Sequence, residues 1–336
     1  MELTILKPNV LNGVLQEMQP PKDLLMVNKL PRNGYPFPNW AYDVLSGSKQ
    51  MAKPNVPNSE ANIVQPLPIG KVSGSMLYTR EKKVFEPTTL YWLRKAGEDG
   101  AQAAKRAESS ITAETQDLND RNERFLEYCI WQMLQGSLTL DTPYVQASID
   151  YKLPADHKPT AGVLWNHVDV NGKLDADVIK DVKAWKRKLA ADAQVPATDV
   201  YANSVTFDYL YRNEQIKGLL SDKQKDSYLQ TGVVAGLLNL NWSEYDLGYT
   251  DDAGVDQKFI PDGYMLMISW ANMSGNLPAL ELLNGPSPDF DAPMGTLGRF
   301  AKSWVEKDPS ARQILVENTF VPVLRRVFQI MWIRIF

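Results

Sequence analysis

Gly298-Arg299-Phe300-Ala301-Lys302-Ser303-Trp304-Val305-Glu306-Lys307-Asp308-Pro309-Ser310-Ala311-Arg312-Gln313-Ile314-Leu315-Val316-Glu317 is the stretch from which the rest of the chain can be read. Phe300 and Trp304 sit among charges of both signs. Asp308-Pro309 interrupts the run, because Pro309 has no N–H to donate and pushes Asp308 toward extended geometry. An aliphatic strand signal follows at 314–316. The apolar run that closes the chain, 320–336, is broken by Arg325, Arg326 and Arg334. It therefore does not read as a membrane span.

Working outward, the 336 residues are 44% hydrophobic, enough for a sizeable core and, at this length, two packed units. A net charge of −4 leaves no basic footprint for gripping nucleic acid. The single cysteine, Cys129, excludes an intrachain disulfide and a cysteine-based zinc site. It lies on an apolar helical face and reads as a buried structural thiol. Met1-Glu2-Leu3-Thr4 lacks the basic-then-apolar pattern of a signal peptide, so a reducing cytoplasm is the expected place of synthesis.

Pro8, Pro20, Pro21, Pro31, Pro36 and Pro38 predict an irregular arm over 1–39. Its apolar residues, among them Leu24, Leu25, Met26 and Trp40, predict that it lies on a surface rather than in solvent. A strand is predicted at 40–45, then a Pro- and Asn-rich connection at 54–62. Two further strands, 71–79 and 84–93, flank a charged turn at Arg80-Glu81-Lys82-Lys83. Pro87 bars the second of these from the middle of a sheet. Residues 97–112 predict a hinge or loose helix. The clearest helix is 113–136: Leu118, Phe125, Cys129 and Met133 recur at helical spacing, Thr112 is placed to cap it, and Gly136 ends it. Period-two alternation follows over 139–153. Further on, helices are predicted at 176–193 and 206–220, with strands near 200–202, 240–245 and 259–268, and strands again from 297. Helices with intervening strands suggest an α/β or α+β unit in the middle.

No catalytic, cofactor-binding or metal site is predicted. Asp169-Val170-Asn171-Gly172 puts its glycine fourth where a calcium loop needs it sixth, so it reads as a turn, with Asp175 capping the next helix. Asp251-Asp252-Ala253-Gly254 likewise reads as a hairpin turn. His157 and His167 are read as structural or exposed. Gly232-Val233-Val234-Ala235-Gly236 lacks the Lys-Ser/Thr of a phosphate loop and reads as close helix packing.

Phe300-Ala301-Lys302-Ser303-Trp304, then Glu306-Lys307-Asp308-Pro309, the aliphatic strand and Pro322-Val323, resembles the C-terminal signature of the lambda-type major capsid proteins of tailed bacteriophages. Tyr42-Asp43-Val44, the Pro54–Pro68 connection, Phe85-Glu86-Pro87 and Phe259-Ile260-Pro261-Asp262-Gly263 extend the resemblance over most of 35–325. It implies the HK97 capsid fold: an N-terminal arm (1–39), an E-loop (40–97), a peripheral domain with its spine helix (98–154), an axial domain (155–289) and returning peripheral strands (290–336). It also implies a structural shell subunit, not an enzyme, that self-assembles as hexamers and pentamers around double-stranded DNA without reading its sequence. The implied place is the virion, after assembly in the host cytoplasm, with portal, scaffold and decoration proteins as further partners. Two alternatives remain: an encapsulin-type nanocompartment shell, and a cytoplasmic enzyme whose site is not visible in the sequence.

In this fold the E-loop of one subunit lies across its neighbour near the spine helix. Residues 70–97 carry a local charge of +4 and residues 113–136 carry −3. The expected inter-subunit contact therefore joins Lys71, Lys82, Lys83, Arg94 and Lys95 to Glu114, Asp117, Asp120 and Glu123.

Overall fold

The computed structural model describes residues 7–44, 70–86, 100–142, 145–170, 172–251, 253–271 and 278–336. In chain order its elements begin with α1 (Pro8–Glu17), α2 (Leu25–Lys29), β1 (Arg32–Gly34), β2 (Asn39–Val44), β3 (Gly70–Ser75), β4 (Leu77–Phe85) and α3 (Gly100–Leu134). Next come β5 (Ser137–Asp141), β6 (Gln146–Asp150), α4 (Val178–Ala193), β7 (Asp199–Ala202), α5 (Ser204–Arg212), α6 (Glu214–Leu219) and α7 (Asp222–Thr231). The rest are strands: β8 (Val233–Leu237), β9 (Leu240–Glu244), β10 (Gly248–Thr250), β11 (Asp256–Lys258), β12 (Tyr264–Ile268), β13 (Leu280–Asn284), β14 (Arg299–Lys307), β15 (Ser310–Leu324) and β16 (Ile330–Arg334). The class is α+β, one of the two that the sequence leaves open.

Two units divide these elements. The first holds Met1–Trp40, Gly74–Ile130 and Glu281–Val323; the second holds Ala41–Ser73, Trp131–Leu280 and Leu324–Phe336. The boundary falls inside α3, after Ile130.

The first unit is organised by β15, fifteen residues long and buried along most of its length. It pairs antiparallel with β14 through the Asp308-Pro309 turn and, on its other side, with β4. β13 is also its neighbour, and β1 runs parallel to β13. Arg80-Glu81-Lys82-Lys83 is therefore not a turn but the middle of β4, in register with 314–317 of β15. The alternation of Leu77, Thr79, Glu81 and Lys83 with Tyr78, Arg80, Lys82 and Val84 suits a strand with one face on the sheet. Of the strand predicted at 84–93, residues 84 and 85 end β4, and residues 87–99 lie outside those described.

The arm is not irregular. Pro8 stands at the start of α1, where its missing N–H costs nothing. Leu11, Leu15 and Met18 form one face and pack with Ile111, Leu118, Ala301, Ile314 and Val316. The arm thus lies on its own chain. Asn12 bonds Ala301 twice, donating to its carbonyl and accepting from its N–H, each at 2.8 Å.

α3 is described from Gly100, thirty-five residues and about 52 Å. The expected loose segment before 113 belongs to it. Thr112 does not cap a helix; its hydroxyl donates to the Glu108 carbonyl inside α3. Gly136 does end the helix, at φ 95°. A Cβ there would stand 2.8 Å from that of Leu153.

In the second unit β16, β12, β7, β9 and β8 form one sheet in that order. α4 to α7 supply the helices, and Phe207, Trp185, Trp242 and Met267 are core residues. The predicted 206–220 helix is two helices, interrupted at Asn213, whose side chain caps α6 by accepting from Gln215. Asp177, not Asp175, caps α4; Asp175 pairs with His167 at 2.7 Å. Gly232 is the left-handed cap of α7, and the glycine-flanked run after it is the strand β8. His157 is fully buried between the Ile330 carbonyl and Asp192. β16 sits against β12 here, so residues 290–336 are split between the units.

Candidate assembly surface

The face that α3 buries is not wholly apolar. Thr115, Asn119, Asn122, Glu123 and Glu127 recur at three- and four-residue intervals and are all buried. The two carboxylates among them hold the arm. Glu127 accepts from the N–H groups of Met26 (3.1 Å) and Val27 (2.7 Å), which open α2. An anion there satisfies donors that a helix leaves unpaired. Glu123 takes a two-pronged bond from Arg32, at 3.1 and 2.6 Å, and has Arg299 at 3.8 Å. Arg299 also donates to the Met18 carbonyl at the end of α1 and to Asn119. Burial pulls the Arg299 guanidinium below its ordinary pKa, against the attraction of Glu123.

A third buried carboxylate, Glu317 of β15, accepts from the Tyr78 hydroxyl at 2.5 Å and from the Ser287 hydroxyl. Burial, then this bond, raises the Tyr78 pKa. Burial alone pushes the Cys129 thiol up, away from the thiolate form.

On the surface, the charges expected to bridge subunits have these places. Lys83 donates to Asp117 at 2.5 Å and to Glu114, both of its own chain. Burial disfavours the Lys83 ammonium, but the bonds to Asp117 and Glu114 outweigh it and raise its pKa. The Lys83 bond holds the Asp117 carboxyl below its usual range. Asp120 accepts from Gln116, and burial raises its pKa. Glu123 is interior and cannot be the exposed acid the sequence suggested. Lys71 and Lys82 are exposed, Lys82 reaching Gln313 at 3.2 Å. Arg94 and Lys95 lie outside the described residues.

The intrachain pairing has a testable pH signature. The depressed Asp117 contributes stability above its unfolded pKa of about 3.9, and that contribution is lost as pH falls through the lower folded value. Lys83→Met should change stability at neutral pH by less than ~1 kcal/mol, since the pair is half exposed. It should also flatten the fall in stability between about pH 5 and 2. Urea denaturation across that range checks both; identical acid sensitivity in the two proteins would remove Lys83 as the partner.

Sequence reading missed a further part of this surface, the loop between β13 and β14. Asp289 anchors it, accepting from Lys302 (2.7 Å) and Arg80 (3.2 Å). Phe290 and Met294 project from it into solvent. No motif marks them. Their only signal is two large apolar residues in a Pro- and Asp-rich loop. Among the described residues no group of three or more His, Cys, Asp or Glu side chains could hold a metal ion, and no helix is long and apolar enough to cross a membrane. The Asp251 carboxylate accepts from the N–H groups of Ala253 and Val255 in its own turn.

A family model described as phage major capsid protein E matches residues 7–331. No curated protein sequence matches the chain. Among solved structures, a prophage protein of Escherichia coli CFT073 described as a capsid protein is 17% identical, with a TM-score of 0.71 over 98% of this chain and 99% of that one. A phage-related protein of Bordetella bronchiseptica RB50 is 11% identical, with a TM-score of 0.57 over 97% and 96%. The capsid of Ralstonia phage GP4 is 11% identical, with a TM-score of 0.51 over 91% and 87%. These likenesses show the fold, which is the HK97-like capsid fold.

Proposed function

Because this chain belongs to the phage major capsid protein E family, we propose that its copies close as hexamers and pentamers into an icosahedral head around double-stranded DNA. The protein is a major capsid protein, a component of the virion, and its role is structural. The family match over 7–331 carries this reading and favours the phage head over a nanocompartment shell or an enzyme. The first unit corresponds to the peripheral domain and the second to the axial domain, with the returning segment ending at 323 rather than 336. The E-loop is assigned to 40–97, within which β2 pairs with β3 and β4 joins β15 of its own chain. The balance of charge, −4 overall, suits enclosure of DNA without base contacts. Assembly takes place in the host cytoplasm, with portal, scaffold and decoration proteins as partners.

Of the nine charges expected between subunits, Lys71, Lys82, Arg94, Lys95 and Asp120 remain proposed for that role. Lys83, Glu114 and Asp117 first serve their own chain. The test of the function is electron microscopy and light scattering of the purified protein. Closed shells, tubes or capsomers are expected. A strictly monomeric species at high concentration, whatever the salt, would overturn it.

A further inference from the structure

Phe290 and Met294 are the two most exposed large apolar side chains among the described residues, each at 106% of a free reference residue. Their loop is not slack. The Ser287 N–H donates to the Thr296 carbonyl (3.2 Å), that of Ala292 to Asp289 (3.1 Å) and that of Thr296 to Pro293 (3.0 Å). A bridge between Pro286 and Leu297 closes the loop base. Asp289 is clamped to Lys302 and Arg80 as described. The polar side chains of this loop fix its shape, while its apolar ones face water. In a solvated loop the reverse arrangement is expected. A fixed loop holding two apolar side chains outward has already lost the conformational entropy that docking would otherwise cost.

Beside it lies a shallow groove lined by Arg80, Asp291, Lys302, Ser303 and Trp304. The Lys302 ammonium stands 5.7 Å from the centre of the Trp304 ring. Asp291 adjoins Phe290 in sequence, so knob and groove stand side by side. Full exposure of Phe290 means that it does not fill the groove of its own chain. The groove chemistry suits an aromatic guest: the Arg80 guanidinium, half exposed, can lie on a ring face, and Trp304 can pack against its edge.

We propose that Phe290 and Met294 of one copy seat in the Arg80–Lys302–Trp304 groove of a neighbouring copy, each copy giving a knob and receiving one. This contact rests on the shell reading above, which supplies the partner: a second copy of the chain. Side-by-side placement of knob and groove puts the contact close to a local rotation axis, where such an exchange can close.

Two measurements test it. The double variant Phe290→Ser, Met294→Ser should fold with an unchanged thermal midpoint, because both side chains are exposed in the single chain. It should raise the critical concentration for assembly by ~tenfold or more, as loss of a central aromatic anchor does. A photoreactive benzoylphenylalanine at position 290 should yield covalent dimers in assembled particles, with the cross-link mapping to 80 or 302–304 of the second chain. Normal assembly by the double variant, or cross-links mapping elsewhere, overturns this contact alone. Failure of the parental chain to assemble overturns the shell reading and this contact with it.

Discussion

Replacing Glu123 by alanine is expected to destabilise the first unit by about 3–5 kcal/mol, the range for removing one partner of a buried ion pair. Its carboxylate is fully buried, whereas the Arg32 side chain is 22% exposed and that of Arg299 is 13% exposed. Deleting it leaves two guanidinium groups with much of their solvation gone and, among the described residues, no other carboxylate paired to them. Arg299 suffers most, since burial already disfavours its charged form. The arm should loosen first, because Arg32 opens β1 in register with Leu282 and Arg299 also holds the end of α1. Denaturant unfolding of the unassembled protein measures the loss, and hydrogen exchange locates it. The paired change Glu123→Leu with Arg32→Met should recover part of it, as an apolar replacement removes both desolvation costs. A loss under about 1 kcal/mol would mean that the pair is hydrated and works as a surface bridge.

The second large effect is expected at Trp131→Ala, at about 3–5 kcal/mol for an aromatic deleted from a core. Trp131 is 1% exposed, stacks on Tyr245 with centroids 5.5 Å apart, and meets Trp332 edge-on at 6.4 Å. Each aromatic pair adds about 0.5–1.5 kcal/mol beyond the area buried. Tyr264 stacks on Trp332 in turn, so the deletion undercuts a row of rings along β12 and β16. Trp131→Phe should retain more than half of the stability. If alanine and phenylalanine variants unfold at the same denaturant concentration, the stacking account fails.

The elements read most accurately from sequence were those with one dominant period. The helix expected at 176–193 is α4 (Val178–Ala193), and the strand at 40–45 is β2 (Asn39–Val44). The alternation around Ile149 and Tyr151 is a hairpin. Misreadings have identifiable causes. The prolines predict an irregular arm, yet Pro8 sits where a ten-residue helix starts. Four consecutive charges at 80–83 looked like a turn, but β15 supplies a long-range partner that no local window contains. On α3 the net charge predicts that Glu114, Asp117, Asp120 and Glu123 all meet a neighbouring subunit. Glu114 and Asp117 are on the surface; Glu123, like Glu127, points inward, because their partners are an arginine and two backbone N–H groups roughly a hundred residues earlier. Periodicity orders residues about a helix axis, but it carries no information on whether a distant cation waits inside. Most of the assembly surface was invisible for the same reason: Phe290 and Met294 matter through exposure, and exposure is a property of the folded chain.

The buried acids of α3 also act as an index pin. An apolar helix face can slip along a sheet by one residue and exchange one methyl contact for another. Such a slip moves a side chain about 1.5 Å along the axis and 100° around it. Glu123 would leave Arg32, and Glu127 would leave the two N–H groups of α2, with both carboxylates still out of water. Bonds of this kind have one setting and no near neighbours. In a closed surface built of copies, an angular error in one tile is inherited by every tile around it. A part that can be assembled only one way removes that error before the first contact between copies is made.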